Sequence, residues 1–293
     1  MIGELAALTC ALFWAISARM FRILGTSFSP LALNFWKGIV AIVLLMIAIQ
    51  FIPSPAALST ETILWLVLSG VIGIGLGDTF FFQSINRIGD SQTLLIAETA
   101  APIITALLAI AWLAEWLTVT QWIAIAIIII SIDLVIKTQR KESTEKINLS
   151  GFGFAGLAAL CQAIGAVISR QVLTTTDLDA ANASLIRLLG GMLIIIALML
   201  LRKKTWLPST SNSLQTWRIF AVATFFGTFA GLYLQMVAFT YSKAAIVQTL
   251  FATSILFSLA LAFILGEKVS RKTTVWSMLA LVGVTLLLVA DKT

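Results

Sequence analysis

Among the ionisable residues that lie within largely apolar stretches of the sequence are Lys37, Asp78, Glu98 and Arg187. Charged side chains in such surroundings can bind the opposite charges of a small molecule, and a carboxylate can also carry a proton. The chain has no His and two Cys, which excludes a Ser-His-Asp triad and the usual metal ligands. We therefore expect a binding site for a small molecule, with no catalytic residue, no metal and no cofactor.

Uncharged polar and aromatic residues in the same stretches extend this set of candidates. The glutamines are Gln83, Gln162, Gln235 and Gln248. A glutamine offers two donors and an acceptor without a charge, which suits an amino acid or a nucleobase and suits bonding between helices equally well. Trp14, Trp36 and Tyr233 are candidates for the wall of a cavity.

The stretches that carry these residues have the length and composition of membrane-spanning helices. The chain has 293 residues, 60% of them hydrophobic and 11% charged. A soluble domain carries about 25% charged residues, and a helix needs about 20 apolar residues to cross the bilayer core. The predicted spans are 3–24, 31–51, 63–85, 92–114, 119–137, 151–173, 180–201, 217–241, 244–265 and 273–290.

The two halves of the sequence repeat each other when the chain is shifted by 152 positions. The matching pairs include Ser17 and Ser169, Trp65 and Trp217, Gly75 and Gly227, Gln83 and Gln235, and Glu115 and Glu267. The repeats are predicted at 1–137 and 151–293, joined by a polar connector at 138–150. Because each repeat has an odd number of spans, the second must enter the membrane from the opposite side. The sequence thus predicts an all-α membrane protein of ten transmembrane helices, arranged as two inverted five-helix repeats.

Short motifs stand out in both repeats, and the two in the second repeat match the pattern of the third-to-fifth-span motifs of the first. They are Leu12-Phe-Trp-Ala-Ile-Ser17, Ser29-Pro-Leu31, Gln83-Ser-Ile-Asn-Arg-Ile-Gly89, Glu98-Thr-Ala-Ala-Pro102, Leu113-Ala-Glu-Trp116, Tyr241-Ser-Lys-Ala-Ala245 and Leu265-Gly-Glu-Lys-Val269. Over nearly its whole length the chain resembles the EamA-type branch of the drug/metabolite transporter superfamily. The ninth span departs from the pattern, because Leu250 and Ser254 stand where the fourth span has Glu98 and Pro102.

The resemblance implies a ten-helix fold around a central cavity and the export of amino acids or other small metabolites. Family members are usually drawn with both termini in the cytoplasm. The net charge of +6 comes mostly from basic residues in connections after odd-numbered spans, which favours both termini outside. The sequence therefore leaves the orientation open. The basic residues form no continuous face, so no nucleic-acid partner is expected.

Each candidate residue has a structural interpretation beside the functional one. Asp78 either forms a fixed ion pair with Lys37 or Arg187, or serves as a substrate or proton site. Lys37 and Arg187 either extend to the membrane interface or bind a substrate carboxylate or phosphate. Pro102 frees a backbone carbonyl near Glu98, which predicts a kinked, partly unwound helix beside a coupling or substrate residue.

Further residues are predicted to shape the helices rather than to bind. The pairs Gly73 with Gly77 and Gly227 with Gly231 have the spacing that lets helices approach closely, and they are also candidate hinges. Glu115 and Glu267 are predicted to accept hydrogen bonds from the first turn of the helix that follows each of them.

Together these features favour a secondary transporter in the cell (inner) membrane, most simply an exporter of amino acids or related metabolites, that works by alternating access. Its partners would be the small-molecule substrate, the lipid bilayer, and a proton or another coupling ion, since no ATP-binding P-loop is present. A lipid flippase or a regulatory membrane partner is the alternative. An intramembrane enzyme is not expected, because no Ser-Lys or Asp-Asp catalytic motif is visible.

Overall fold

The structure, a computed structural model, describes residues 1–24, 27–52, 58–139, 149–201, 214–267 and 269–290. Every regular element within these ranges is a helix, and ten helices there are long and apolar enough to cross a membrane. The prediction of a ten-span all-α membrane protein is confirmed. Most of the predicted connector at 138–150 lies outside the described residues, so the repeat boundaries stay a prediction.

The observed spans agree with the predicted ones to within a few residues. In chain order they are Ile2–Leu24, Leu31–Phe51, Thr60–Gly89, Gln92–Leu113, Val119–Thr138, Leu149–Thr175, Ala180–Leu201, Leu214–Tyr241, Ala244–Ile264 and Arg271–Ala290. We refer to them as the first to the tenth span. Gly89, with a positive φ of 78°, separates the third span from the fourth, in a region of backbone space that glycine adopts at little cost.

Polar residues at the start of several spans explain why the helices begin where they do. The Ser29 hydroxyl accepts a hydrogen bond from the backbone N–H of Ala32 at 3.3 Å, and Pro30 occupies the first turn. Thr118 and Gln121 bond reciprocally, side chain to backbone, at 3.0 and 3.2 Å. Such caps satisfy backbone donors that the first helical turn leaves free.

The third and seventh spans touch backbone to backbone. A Cβ atom added at Gly70 would overlap the carbonyl oxygen of Arg187, and one added at Gly190 would overlap that of Val67. Small residues permit this approach in membranes, where packing replaces the hydrophobic effect as the force that joins helices. The contact fixes the position of Arg187 on the seventh span relative to the third span.

Each repeat also contains one π-helical turn, at Val71–Leu76 in the third span and at Phe225–Ala230 in the eighth. Both predicted glycine pairs begin inside such a turn and end just after it. A Cβ at Gly73 would lie 3.5 Å from the Cα of Gly165, and one at Gly227 would lie 2.6 Å from the Cβ of Ser17. The first pair therefore packs the third span against the sixth, and the second packs the eighth against the first.

The prediction of an unwound helix at Pro102 is wrong. The helix Gly77–Leu113 has non-helical dihedral angles at Gly89 and keeps helical ones through Pro102. The ninth span is broken instead, at Thr253, where one helix ends at Ala252 and the next begins at Ser254. A proline in a helix costs one hydrogen bond, and packing by neighbouring spans can hold the helix together despite that loss.

Candidate functional site

A cavity of about 370 Å³ lies between the two repeats. Its walls come from eight spans, since the fifth and the tenth contribute no described lining residue. The predicted site residues that line it are Trp14, Lys37, Gly73, Asp78, Glu98, Gln162, Arg187, Gly227, Gln235 and Gln248. The structure thus brings together ten residues that are scattered over both halves of the sequence.

Arg187 lines this cavity and is only 4% exposed. Its Nη1 donates a hydrogen bond to Oε1 of Gln235 at 2.8 Å, whereas its buried Nε has no hydrogen-bond partner among the described residues. The glycines Gly73 and Gly165 leave the space that the guanidinium occupies, because a Cβ at Gly73 would come within 3.0 Å of Nη2. The predicted extension of Arg187 to the membrane interface is therefore wrong.

Asp78 and Lys37 also face the cavity, and neither forms an ion pair with a described residue. The charges of Lys37 and Arg187 are both close enough to act on the Asp78 carboxylate. The ammonium group of Lys37 lies 5.5 Å from the centre of the Phe21 ring, a distance at which a cation is attracted to the ring face. The fixed ion pair that the sequence allowed for Asp78 is absent in this conformation.

Glu98 supplies the second carboxylate of the cavity, from the first half of the fourth span. The proline at position 102 has no N–H to donate to the Glu98 carbonyl, although the helix continues. The equivalent residue in the second repeat, Leu250, is fully buried and apolar. The cavity is consequently asymmetric, with both of its carboxylates on the first repeat.

The four predicted glutamines fall into three different environments. Gln248 donates through Nε2 to Oε1 of Gln162 at 3.1 Å, which links the ninth span to the sixth beside the cavity. Gln235 accepts from Arg187. Gln83 instead bonds to Arg87 one turn further along its own helix and does not line the cavity.

Aromatic rings form the remaining apolar part of the wall. Trp14, Phe21, Phe81 and Phe82 line the cavity, and the Trp14 ring lies 4.9 Å from that of Phe251. The expectation that Tyr233 lines the cavity is wrong, because Tyr233 is not among the lining residues and is 38% exposed. Its neighbours Leu232 and Gln235 face the cavity, and one residue of a helix turns a side chain by about 100°.

Trp36 and the remaining predicted packing residues lie outside the lining. Gly77, Pro102 and Gly231 are absent from the cavity wall. A Cβ at Gly77 would lie 3.5 Å from the Cβ of Cys161, and one at Gly231 would lie 2.7 Å from Nε1 of Trp14. These two glycines therefore allow the sixth and first spans to pack closely beside the cavity, which agrees with a packing role.

Sequence reasoning missed several polar residues of the wall, among them Ser17, Asn34 and Thr228. Asn34 is buried and lies one helical turn before Lys37, so both side chains share the face of the second span that meets the cavity. A polar residue three positions from a charged one within an apolar helix is the signal that could have identified Asn34.

Neither Glu115 nor Glu267 has a side-chain hydrogen bond to a described residue of the helix that follows it. Oε2 of Glu115 accepts from the backbone N–H of Ala244, the first residue of the ninth span, at 2.8 Å, and Oε1 accepts from Nε of Arg170 at 2.6 Å. Glu267 pairs with Arg19 at 2.5 Å. Glu115 thus does accept a hydrogen bond from the N-terminus of a helix, but that helix is the ninth span, in the opposite repeat. The N-terminus of the helix that follows Glu115 is capped by Thr118 instead.

Comparison with known proteins agrees with this architecture. The model of the EamA-like transporter family matches residues 1–137 and 149–289, while no curated protein matches the chain. A solved structure described only as the crystal structure of a protein superposes with a TM-score of 0.80 at 15% identity, covering 99% of this chain and 98% of the other. That likeness shows the fold alone. The family match extends over both repeats and nearly all of the sequence, so the chain belongs to the EamA-like transporter family, a multi-pass membrane transporter family of the drug/metabolite superfamily.

Proposed function

We propose that this transporter exports an amino acid, or a closely related zwitterionic metabolite, across the cell (inner) membrane by alternating access to the central cavity. One observation carries the proposal. The cavity contains two cationic side chains, Lys37 and Arg187, and two carboxylates, Asp78 and Glu98. None of the four forms an ion pair with a described residue.

Unpaired charges inside a membrane protein are costly unless a partner compensates them. A substrate that carries one carboxylate and one ammonium group supplies both partners at once. Its carboxylate would bind between Arg187, whose Nε is free, and Lys37. Its ammonium group would bind Asp78 or Glu98. A substrate with a single charge would compensate either the cations or the carboxylates of the cavity, but not both. The cavity therefore favours a zwitterion.

The size and remaining walls of the cavity support the same class of substrate. Pockets for small molecules enclose about 300–1,000 Å³, and a volume of about 370 Å³ is at the small end of that range. Phe81, Phe82 and Trp14 provide an apolar surface beside the charged groups. A small metabolite with a charged head and an apolar side chain fits these walls.

A proton is the coupling ion that we propose. The two carboxylates of the cavity, Asp78 and Glu98, are its only acidic side chains among the described lining residues. A proton that binds one of them would remove the charge that attracts the substrate ammonium group. Proton binding and substrate binding would then compete, and this competition is what exchange of one for the other requires.

Substrate counterflow in proteoliposomes tests the proposal. Vesicles loaded with an unlabelled zwitterionic amino acid are expected to accumulate the same labelled amino acid. The matching amine without the carboxylate, and the matching acid without the ammonium group, are expected to give no accumulation. Equal counterflow of all three compounds would contradict a site built for two charges. Resistance of overexpressing cells to toxic amino-acid analogues would separately establish the direction of transport.

Glu98→Gln is expected to reduce the counterflow rate about tenfold, because a charge-assisted hydrogen bond contributes about 1.5–3 kcal/mol. The protein should still insert, since Glu98 contacts no described residue through a hydrogen bond or ion pair. Counterflow and the yield of monodisperse protein are the two measurements. Glu61→Gln is the matched control, because Glu61 is an exposed carboxylate outside the cavity. Wild-type counterflow by Glu98→Gln would remove this residue from the site.

A further inference from the structure

Two carboxylates at equivalent positions of the repeats join the halves of the bundle at opposite membrane ends. Glu115 follows the fourth span and pairs with Arg170 of the sixth, whereas Glu267 follows the ninth span and pairs with Arg19 of the first. The shift of 152 positions that relates the repeats places Glu115 on Glu267. We call the two sites the Glu115 end and the Glu267 end.

At the Glu115 end both charged side chains are largely buried, and each also bonds to backbone groups of other spans. Arg170 donates from Nη1 to the carbonyl oxygens of Phe239 and Thr240, at 2.6 and 2.9 Å, where the eighth span ends. Glu115 bonds to Arg170 and to the N–H of Ala244 at the start of the ninth span. The side chains of Glu115 and Arg170 are only 13% and 14% exposed. Four spans of the bundle are thereby tied together at this end.

At the Glu267 end the corresponding contacts are missing. The side chains of Arg19 and Glu267 bond only to each other among the described residues, and they are 44% and 55% exposed. The residues equivalent to Ala244, Phe239 and Thr240 are Gln92, Arg87 and Ile88, and the residue equivalent to Arg170 is Ala18, so Arg19 stands one position beyond it. None of Gln92, Arg87 and Ile88 has a hydrogen bond to Glu267 or Arg19 in the described part of the chain.

The cavity extends toward this second end. Ala18 and Phe21, which neighbour Arg19 in the last turns of the first span, both line it. At the Glu115 end the residue equivalent to Phe21 is Leu173, which is 4% exposed and packed in the main apolar cluster. The structure therefore shows one complete junction beside the buried Leu173 and one incomplete junction beside Ala18, a residue that lines the cavity and is exposed.

We propose that these two junctions are alternating gates that exchange their states during transport. When the Glu115 end opens, Glu115 releases Ala244 and Arg170. At the other end Glu267 then caps the fourth span at the backbone N–H of Gln92 and keeps its ion pair with Arg19. The carboxylate suits this role because the N-terminus of a helix attracts negative charge. The proposal rests on alternating access, as in the proposed function, but not on the identity of the substrate.

Cysteine labelling in detergent tests the gates without any substrate. Cys10 and Cys161 are first replaced by Ala, and a single reporter is then introduced as Phe21→Cys or Leu173→Cys. In the starting protein a hydrophilic maleimide is expected to label Phe21→Cys rapidly and Leu173→Cys slowly. Glu115→Gln should increase the labelling rate of Leu173→Cys about tenfold, because it weakens the charged hydrogen bonds that hold this end closed. Arg170→Lys should act in the same direction.

Glu267→Gln is the critical variant, because it should act at a distance. It destabilises the state in which the Glu267 end is closed, so the labelling of Leu173→Cys at the opposite end is expected to fall several-fold. The charge swap Arg19→Glu with Glu267→Arg restores an ion pair but places a cation where a helix N-terminus needs an anion. We expect no recovery of Leu173→Cys labelling from the swap.

The control is Asp133→Asn, which breaks the partly exposed Asp133–Lys137 ion pair of 2.8 Å within the fifth span and should change neither reporter. Unchanged or faster labelling of Leu173→Cys in Glu267→Gln would overturn the proposal. So would recovery by the charge swap, which would make the Arg19–Glu267 contact a simple surface ion pair. If the labelling rates change as expected but the protein shows no amino-acid counterflow, the substrate proposal is refuted and the gate proposal is retained.

Discussion

Arg187→Met is expected to lower the counterflow rate of a zwitterionic amino acid about a hundredfold, since hydrogen bonds to charged groups contribute about 1.5–3 kcal/mol. The substitution removes the cation that we expect to bind the substrate carboxylate. It also leaves the amide of Gln235 without its donor and the Asp78 carboxylate with one neighbouring cation fewer. Counterflow by purified protein in proteoliposomes is the measurement, normalised to the amount of folded protein.

Three further variants distinguish a binding role of Arg187 from a role in folding. Arg187→Lys keeps the charge but not the planar set of donors, so partial activity at most is expected. Arg218→Met is the control, because Arg218 is exposed near the start of the eighth span. The double variant Asp78→Asn with Arg187→Met rebalances the charge of the cavity. We expect it to recover thermal stability relative to Arg187→Met but to stay inactive, and recovered counterflow would show that the two residues only balance each other.

Gly70→Ala is expected to destabilise the folded protein by about 1–3 kcal/mol or more, the usual cost of overfilling a packed interface. The added Cβ would overlap the backbone carbonyl of Arg187, and a backbone atom cannot rotate away as a side chain can. The third and seventh spans must therefore separate, and Arg187 moves with the seventh. The measurement is the temperature at which the purified protein loses its monodisperse gel-filtration peak.

Gly153→Ala serves as the matched control for this substitution. Gly153 lies in the sixth span with nothing within 4 Å of an added Cβ, so the change should be neutral or stabilising through the higher helix propensity of alanine. If Gly70→Ala has wild-type thermal stability and wild-type counterflow, the third and seventh spans do not touch as the structure has them.

The helices and the repeat follow from the sequence because hydropathy and register are properties of the chain itself. A helix that crosses a bilayer has to be about 20 residues of apolar sequence, so the spans could be placed to within a few residues. The equivalence of Glu115 and Glu267 was also visible in the register. Their partners were not, because Arg170 and Arg19 come from the other repeat, and one sequence without its fold does not reveal contacts between repeats.

The side of each helix that faces the cavity was harder to predict from the sequence than the position of the helix. Tyr233 and Gln83 each lie next to residues of the cavity wall in sequence, yet one residue of rotation turns them away. No hydrophobic stripe fixes this rotation, since both the lipid and the protein interior accept apolar side chains. Asn34 was missed although its spacing of three from Lys37 places both on one face of the second span. The local effect of Pro102 was overestimated, because neighbouring spans keep the helix intact.

A structure of the protein with a bound zwitterionic amino acid tests the central claim most directly. We predict that the substrate carboxylate lies within hydrogen-bond distance of Arg187 or Lys37, and that its ammonium group contacts Asp78 or Glu98. A substrate bound elsewhere, or a cavity in which these four side chains pair with one another and exclude the ligand, would contradict the account.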